Sequence, residues 1–375
     1  MDTHKKVAHT PNGQQTPSPE AVDVPVASPE GHPIEQPGRQ EQPVEIEGTP
    51  AGQIVVAPPA TLPVPTRQRL VWLRTLLKNP KALVGIAIVV FFILVAVLAP
   101  VIAPGDPTEF VDAPNLPPSA AHLFGTEGQG KDVFRQTVWG AQISLLIGFA
   151  TGLLITIVST VIGMTAGYFR GRVDDLLTLL TNLFLVIPGL PLLIILSAFL
   201  SPGTGTIIGT LAFTGWAFGA RVKRSQTLSL REKDFVAAAK VSGESGFRII
   251  FSEIMPNMIS IIMGSFISST TYAIGASTAL AFIGLGNVSE VTWGTNLYWA
   301  QNGGAILQGA WWTFVPSGLC VALVAFGLSF INYALDEVTN PRLRAEKELN
   351  RTLKGTAFKK TKTRATPVLR QSQPK

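Results

Sequence analysis

The 375-residue chain is 46% apolar and only 14% charged, with a positive mean hydropathy, where a soluble domain carries about a quarter charged residues; this composition is that of a membrane protein. The single cysteine, Cys320, excludes an internal disulfide, and the four histidines, His4, His9, His32 and His122, include no pair at metal-ligand spacing. The formal charge of +6 raises a nucleic-acid role, which the distribution of Lys and Arg must decide.

Residues 1–66 hold 13 of the 28 prolines, together with scattered Gln, Gly and Ser. Such a stretch buries too little apolar surface to offset its ordering entropy, so a disordered, solvated tail is expected. No apolar core follows the early Lys5 and Lys6, so it does not read as a secretory signal. The remainder, 67–344, contains six uncharged runs that predict six spans over about 82–103, 143–167, 176–200, 203–222, 258–284 and 310–334. The fourth reaches spanning length only if it extends back to Gly203 and past Arg221, whose side chain can snorkel. A basic tail, 345–375, closes the chain.

With the amino terminus inside, the inner segments carry 25 Lys and Arg and the outer ones only Lys131 and Arg135. The positive-inside rule then places both termini in the cytoplasm. The basic charge is thereby a topology signal, and a nucleic-acid role loses its support. The expected fold is all-α and polytopic, in the cell membrane, with the lipid bilayer as a partner.

Two motifs are tested and set aside. Gly125 to Lys131 has the glycine and lysine spacing of a phosphate-binding loop, but Asp132 stands where Ser or Thr would hold magnesium, no strand precedes it, and the topology places it outside. Asp174 and Asp175 are adjacent, point in different directions on a helix and have no histidine partner, so no catalytic residue is assigned. A self-contained secondary carrier would need ionisable residues within the spans, and none of the six runs holds one. Asn182 and Asn332 either line a polar path or make packing hydrogen bonds. Glycines four apart, Gly148 and Gly152, Gly163 and Gly167, Gly215 and Gly219, predict close helix packing. Pro188, Gly189 and Pro191 predict a break in the third span, read as a kink or as a gating hinge.

The loop between the fourth and fifth spans, 221–257, is the most informative segment. Asp234 to Val241 is helix-compatible, and Ser242-Gly243 supplies a left-handed cap. A second helix is expected from Phe247 to Met255, stopped by Pro256, with Phe247, Ile250, Phe251 and Ile254 as a stripe on one face. Two such helices either dock on another protein or pack back onto their own bundle.

The stretch Asp234-Phe235-Val236-Ala237-Ala238-Ala239-Lys240-Val241-Ser242-Gly243, with Ser252-Glu253-Ile254-Met255-Pro256-Asn257 after it, resembles the cytoplasmic signature of binding-protein-dependent ABC transporter permeases. Leu123 to Thr126, Gly130 to Phe134, Trp139 to Leu145, Gly167-Tyr168-Phe169, Ile187-Pro188-Gly189, Thr214 to Ala217, Phe282 to Gly286, Asp336 and Asn340-Pro341-Arg342 extend the likeness to the C-type permease of the dipeptide/oligopeptide (peptide/nickel) family. The resemblance implies a non-enzymatic subunit that forms half of a peptide pathway, with nickel or another small solute as the alternative cargo. It implies a heterodimer with a second permease, two ATPase subunits that carry ATP and magnesium, and an extracellular substrate-binding protein; no cofactor or metal is bound by this chain. By the same likeness Ala238, Ala239, Gly243, Pro256 and Asn257 carry the contact with the ATPase, and the expected contact set adds Phe235 and Ala237 beside them and Phe247, Ile250 and Phe251 from the stripe. The chain departs from the family pattern at Ala237, where Glu is usual, and at Glu253, where His is frequent.

Overall fold

The computed structural model describes residues 79–339, all within one compact unit, Pro65–Lys375. The proline-rich segment 1–66, the basic flank before Asn79 and the tail from Asn340 lie outside the described residues. The regular elements of the described residues are helices. Its extended pairing amounts to the isolated bridges Phe110 with Lys131 and Thr126 with Asp132.

Helix α1, Pro80–Val97, starts where the Asn79 side chain accepts from the Lys81 amide at 3.1 Å and Pro80 takes the first helical position, which needs no N–H. It breaks at Leu98 before a short α2, Ala99–Ile102, whose second residue is Pro100. Helix α3, Val133–Tyr168, runs 36 residues, about 54 Å at 1.5 Å per residue, well beyond a hydrocarbon core of roughly 30 Å. Two shorter helices follow, α4 over Arg172–Val186 and α5 over Gly189–Phe199, bent by 85° at the Ile187-Pro188 step. That angle exceeds a kink: the residue before proline is driven out of the helical region, and Ile187 and Pro188 both adopt extended backbone.

Helix α6 spans Thr204–Arg231 and is followed by α7, Asp234–Val241. A continuous helical stretch then comprises α8, Gly246–Arg248, a π-helical segment, Ile249–Ile254, and α9, Met255–Asn257. Helix α10, Ile259–Phe282, and α12, Val315–Thr339, complete the long helices, with α11, Trp293–Asn302, between them.

By length and composition, four of these helices are able to cross a membrane: α1, α3, α10 and Val315–Glu337 of α12. The bent pair α4 and α5 is a fifth if taken as one span. The fourth apolar run differs from its expectation because α6 does not end near Arg221. It carries Arg221, Lys223, Arg224 and Arg231 within the same helix, so the first eleven residues of the expected 221–257 loop are helical continuation. Helix α11 was not foreseen either. Its Thr292 caps the first turn reciprocally with Thr295, and the buried Trp293 packs edge-on to Phe92 at 5.7 Å while its Nε1 donates to the Thr137 carbonyl.

Helix α3 is the spine of the bundle, packed against α6 along one half and α10 along the other. Its small residues set the spacing: a Cβ on Gly148 would stand 2.4 Å from Ile274, one on Gly152 2.2 Å from Thr270, and one on Gly163 2.5 Å from the Ala220 carbonyl. The glycine pairs predicted from spacing are therefore places where helix backbones meet, as in membrane bundles that pack by close approach. Helix α1 packs on α12, closing that side with Val89, Phe92, Val324 and Leu328.

Candidate functional site

Two features stand out: a projecting helical loop at one end of the bundle and a polar cavity inside it. The loop begins where Arg231 Nη1 donates to the Tyr168 carbonyl at 2.6 Å, tying the end of α6 to the end of α3. Nearby, Arg224 grips Asp174 with two bonds of 2.6 and 2.7 Å, a bidentate pair that fastens α6 to the start of α4. Asp174 is thus a structural ion-pair partner. Helix α7 ends in a complete Schellman turn: Glu244 N donates to Ala239 O, Gly243 N to Lys240 O, and Gly243 takes φ +77°. This is the left-handed cap expected from Ser242-Gly243. A Cβ at Gly243 would meet nothing within 4 Å, so the turn faces open space.

The second helix departs from its expectation in two ways. It continues through Pro256, which falls in the first turn of α9 where no backbone donor is required. Its middle is π-helical, so the i, i+3, i+4, i+7 spacing no longer marks one face. Ile249, Ile250 and Ile254 turn inward onto Met164, Val236 and Met258, while Phe247 remains 65% and Phe251 44% exposed. Of the two readings left open by the pattern, packing back onto the bundle holds for the isoleucines; Phe251 is turned outward, and Phe247 is largely exposed with one side against Phe169 at 5.6 Å. Of the ten residues singled out, Ala237, Ala238, Gly243, Phe247, Phe251, Pro256 and Asn257 lie on the open side. Phe235 and Ala239 are half-buried against the foundation and Ile250 is within it. Asn257 donates to the Glu253 carbonyl at 2.7 Å, capping its own turn. Val241, at the end of α7 and 90% exposed, is an apolar member of this surface that the sequence reading left out. Its spacing of four from Ala237 was the available signal.

The cavity, about 540 Å³, lies between α6, α10 and α12. Its least expected member is Lys223, which the charge tally places in a loop but which is completely buried. Its Nζ donates to Ser159 Oγ on α3 and Ser265 Oγ on α10, each at 2.7 Å. A signal for this existed, because Lys223 continues the row Gly215, Gly219 at four-residue steps and therefore faces the bundle. Asn332 also lines the cavity and donates to Ser268 Oγ at 3.1 Å. Asn182 instead accepts from Arg221 at 2.8 Å on the far side of α6.

The loop with phosphate-like spacing is built for a different purpose. Asp132 caps α3 by accepting from Arg135 N at 2.8 Å and bonds His122 Nδ1 at 2.8 Å, so the helix start is already occupied by a carboxylate. A Cβ on Gly130 would collide with Asp112 O at 2.1 Å, which leaves no cradle. Glu127 is buried with both carboxylate oxygens unpaired among the described residues, and that burial pushes its carboxyl above the usual range despite Lys131 nearby.

Comparison with known proteins fits this architecture. Residues 159–345 match the binding-protein-dependent transport system inner membrane component, and residues 68–118 match the N-terminal TM domain of oligopeptide transport permease C. The dipeptide transport system permease protein DppC of Bacillus subtilis (strain 168) is 34% identical over 275 residues, covering 72% of this chain and 85% of that protein. The oligopeptide transport system permease protein OppC of the same organism is 32% identical over 270 residues, 71% of this chain and 87% of that one. The di/tripeptide transport system permease protein DppC of Pseudomonas aeruginosa (strain UCBPP-PA14) is 30% identical over 275 residues, with 71% and 89% covered. With these matches spanning the described bundle, the chain belongs to the ABC transporter permeases of the dipeptide/oligopeptide family, as a C-type membrane subunit and not an enzyme.

Proposed function

We infer that this chain forms half of the translocation pathway of an ATP-driven importer of short peptides and receives its driving force through 234–257. The observation that carries this reading is the split character of the loop. An isoleucine foundation holds it to α3 and α6, while Ala237, Ala238, Val241, Phe247 and Phe251 present small and apolar surface outward. Exposed apolar residues on a short, rigidly rooted helix pair are the expected form of a docking surface.

In this reading the bundle has six crossings, with α4–α5 as the third and α6 as the fourth, and both termini are cytoplasmic, which the uneven distribution of Lys and Arg supports. The surface meets one of two ATPase subunits, and a second permease subunit completes the pathway. An extracellular binding protein delivers cargo to the opposite end. ATP and magnesium belong to the ATPase subunits. Because ATP binding shifts the bundle only through contacts that differ between its two states, the Arg231–Tyr168 and Arg224–Asp174 ties are what carry loop movement into α3, α4 and α6. The peptide cargo of the named relatives supports the same cargo here.

Deleting this chain abolishes ATP-dependent uptake of short peptides and leaves uptake of free amino acids unchanged. Retained peptide uptake with loss of nickel or another solute would keep the transporter and discard the peptide cargo.

A further inference from the structure

A buried lysine is costly within a membrane bundle unless its charge is answered or used. Lys223 is answered only by neutral groups. Two of its three N–H donors go to the hydroxyls of Ser159 and Ser265, and among the described residues it forms no ion pair. Ser265 stands roughly 9 Å along α10 from Ile259, so the ammonium is inside the bundle and not at its end. A hydroxyl pair fixes the position of the ammonium without neutralising it, and the adjoining space is a cavity large enough for a small molecule.

The α12 side of the cavity supplies the complement. Asn332 Oδ1 is buried and has no hydrogen-bond partner among the described residues, although its amide nitrogen is held by Ser268. Asp336, one turn further along α12, adds a carboxylate to the lining. The cavity therefore offers a fixed cation at one wall and acceptors at another, with hydroxyls between. A short peptide carries a carboxylate at one end and an ammonium and N–H groups at the other.

We propose that this cavity is a transit subsite for short peptides, in which the Lys223 ammonium receives the peptide's carboxylate and Asn332 Oδ1 accepts from its amino-terminal N–H groups. The proposal rests on the peptide reading above and gives that cargo a place in the pathway. The cation in this wall is one that the charge tally counted in a loop. A single neutral-buffered cation is suited to a stop on the way, because the carboxylate gains a charged partner without a full set of ligands that would retain it.

The test uses the complete transporter in nanodiscs, without the binding protein, so that selection by that protein does not enter. Ser269, which lines the cavity, is replaced in a Ser269→Cys, Cys320→Ser background, and its rate of modification by a methanethiosulfonate reagent is followed with L-alanyl-L-alanine or L-alanyl-L-alaninamide present. The free-carboxylate dipeptide slows modification at a concentration at least fivefold below the amide, Lys223→Met brings the two together, and Lys223→Arg keeps them apart. Equal protection by both peptides in the parent protein overturns the proposal, as does a fivefold gap that survives in Lys223→Met. The parent comparison decides even if the methionine variant fails to assemble. If uptake depends on the chain yet neither peptide protects, this subsite falls and the peptide reading stands; if peptide uptake survives deletion of the chain, the peptide reading falls first.

Discussion

The two ends of the bundle are held together in different ways. At the end formed by 104–132 and 285–314, side chains are spent on the protein's own backbone: Trp139 donates to Ala103 O, Trp312 to Thr126 O, Trp293 to Thr137 O, and Thr126 Oγ1 to Ala113 O. At the end formed by 232–257, isoleucines pack inward and the outer face keeps Val241, Phe247 and Phe251 uncovered. Both ends expose apolar side chains, Phe110 and Leu307 at the first and Val241 and Phe247 at the second. The difference lies in what holds them: side chain–backbone hydrogen bonds at the first, the structural end, and packed isoleucines at the second, which the proposed function makes the transmitting end.

The sharpest way to break this comparison is at the tip of the transmitting end. Gly243→Asp adds a charge and a Cβ at φ +77°, where nothing within 4 Å is displaced. Uptake falls at least tenfold while membrane insertion, followed by fractionation, stays normal. The structural end gives the reverse pattern. Trp293→Ala removes a completely buried indole and its bond to Thr137 O, which costs about 3–5 kcal/mol and lowers the thermal transition of the purified protein; loss of uptake follows loss of folded protein.

Smaller effects sharpen the contrast. Phe251→Ala and Phe247→Ala each weaken co-purification of the ATPase, since burying a Phe in an interface is worth about 1.5–3 kcal/mol when complete, and neither shifts the thermal transition appreciably because both rings are already partly exposed. Ile250→Ala, within the foundation, does shift it. The smallest expected effect is Glu127→Gln. Its carboxyl is raised by burial from an ordinary 4.5, so protonation favours the folded loop: the contribution is complete below the ordinary value and lost as pH rises through the raised one. Protection of the amides across 104–132, taken as exchange relative to the intrinsic rate at each pH, is therefore greater at mildly acidic pH than at pH 8, and Glu127→Gln removes that difference while raising protection at pH 8.

Much of the helical framework was legible because apolar length and glycine spacing are local properties. Gly163 and Gly167 announced a close approach, and the partner turned out to be α6 through Ala220, Lys223 and Thr227. The Schellman turn at Gly243 was equally readable, being set by two adjacent residues. What escaped depends on geometry that spacing alone does not carry. The π-helical turn at Ile249–Ile254 divides a stripe that looks continuous at ordinary helical pitch. The 85° bend at Pro188 has a sequence signal but no readable angle. Helix α11 is short and weakly apolar, and its anchoring by Trp293 to Phe92 links residues two hundred positions apart. Lys223 was misplaced because a charge near a span end counts as loop in a topology tally, although the Gly215 and Gly219 row carries it inward.

The central claim is that the 234–257 end faces an ATPase in the cytoplasm while the 104–132 end faces outward. Single cysteines at Val241 and Leu307, 90% and 93% exposed, in a Cys320→Ser background, put both halves of that claim to one impermeant thiol reagent. Leu307→Cys labels in intact cells; Val241→Cys labels only in inverted vesicles, and there at least tenfold more slowly once the ATPase subunits are bound. Labelling of Val241→Cys from outside, or at an unchanged rate with the ATPase present, would contradict the account.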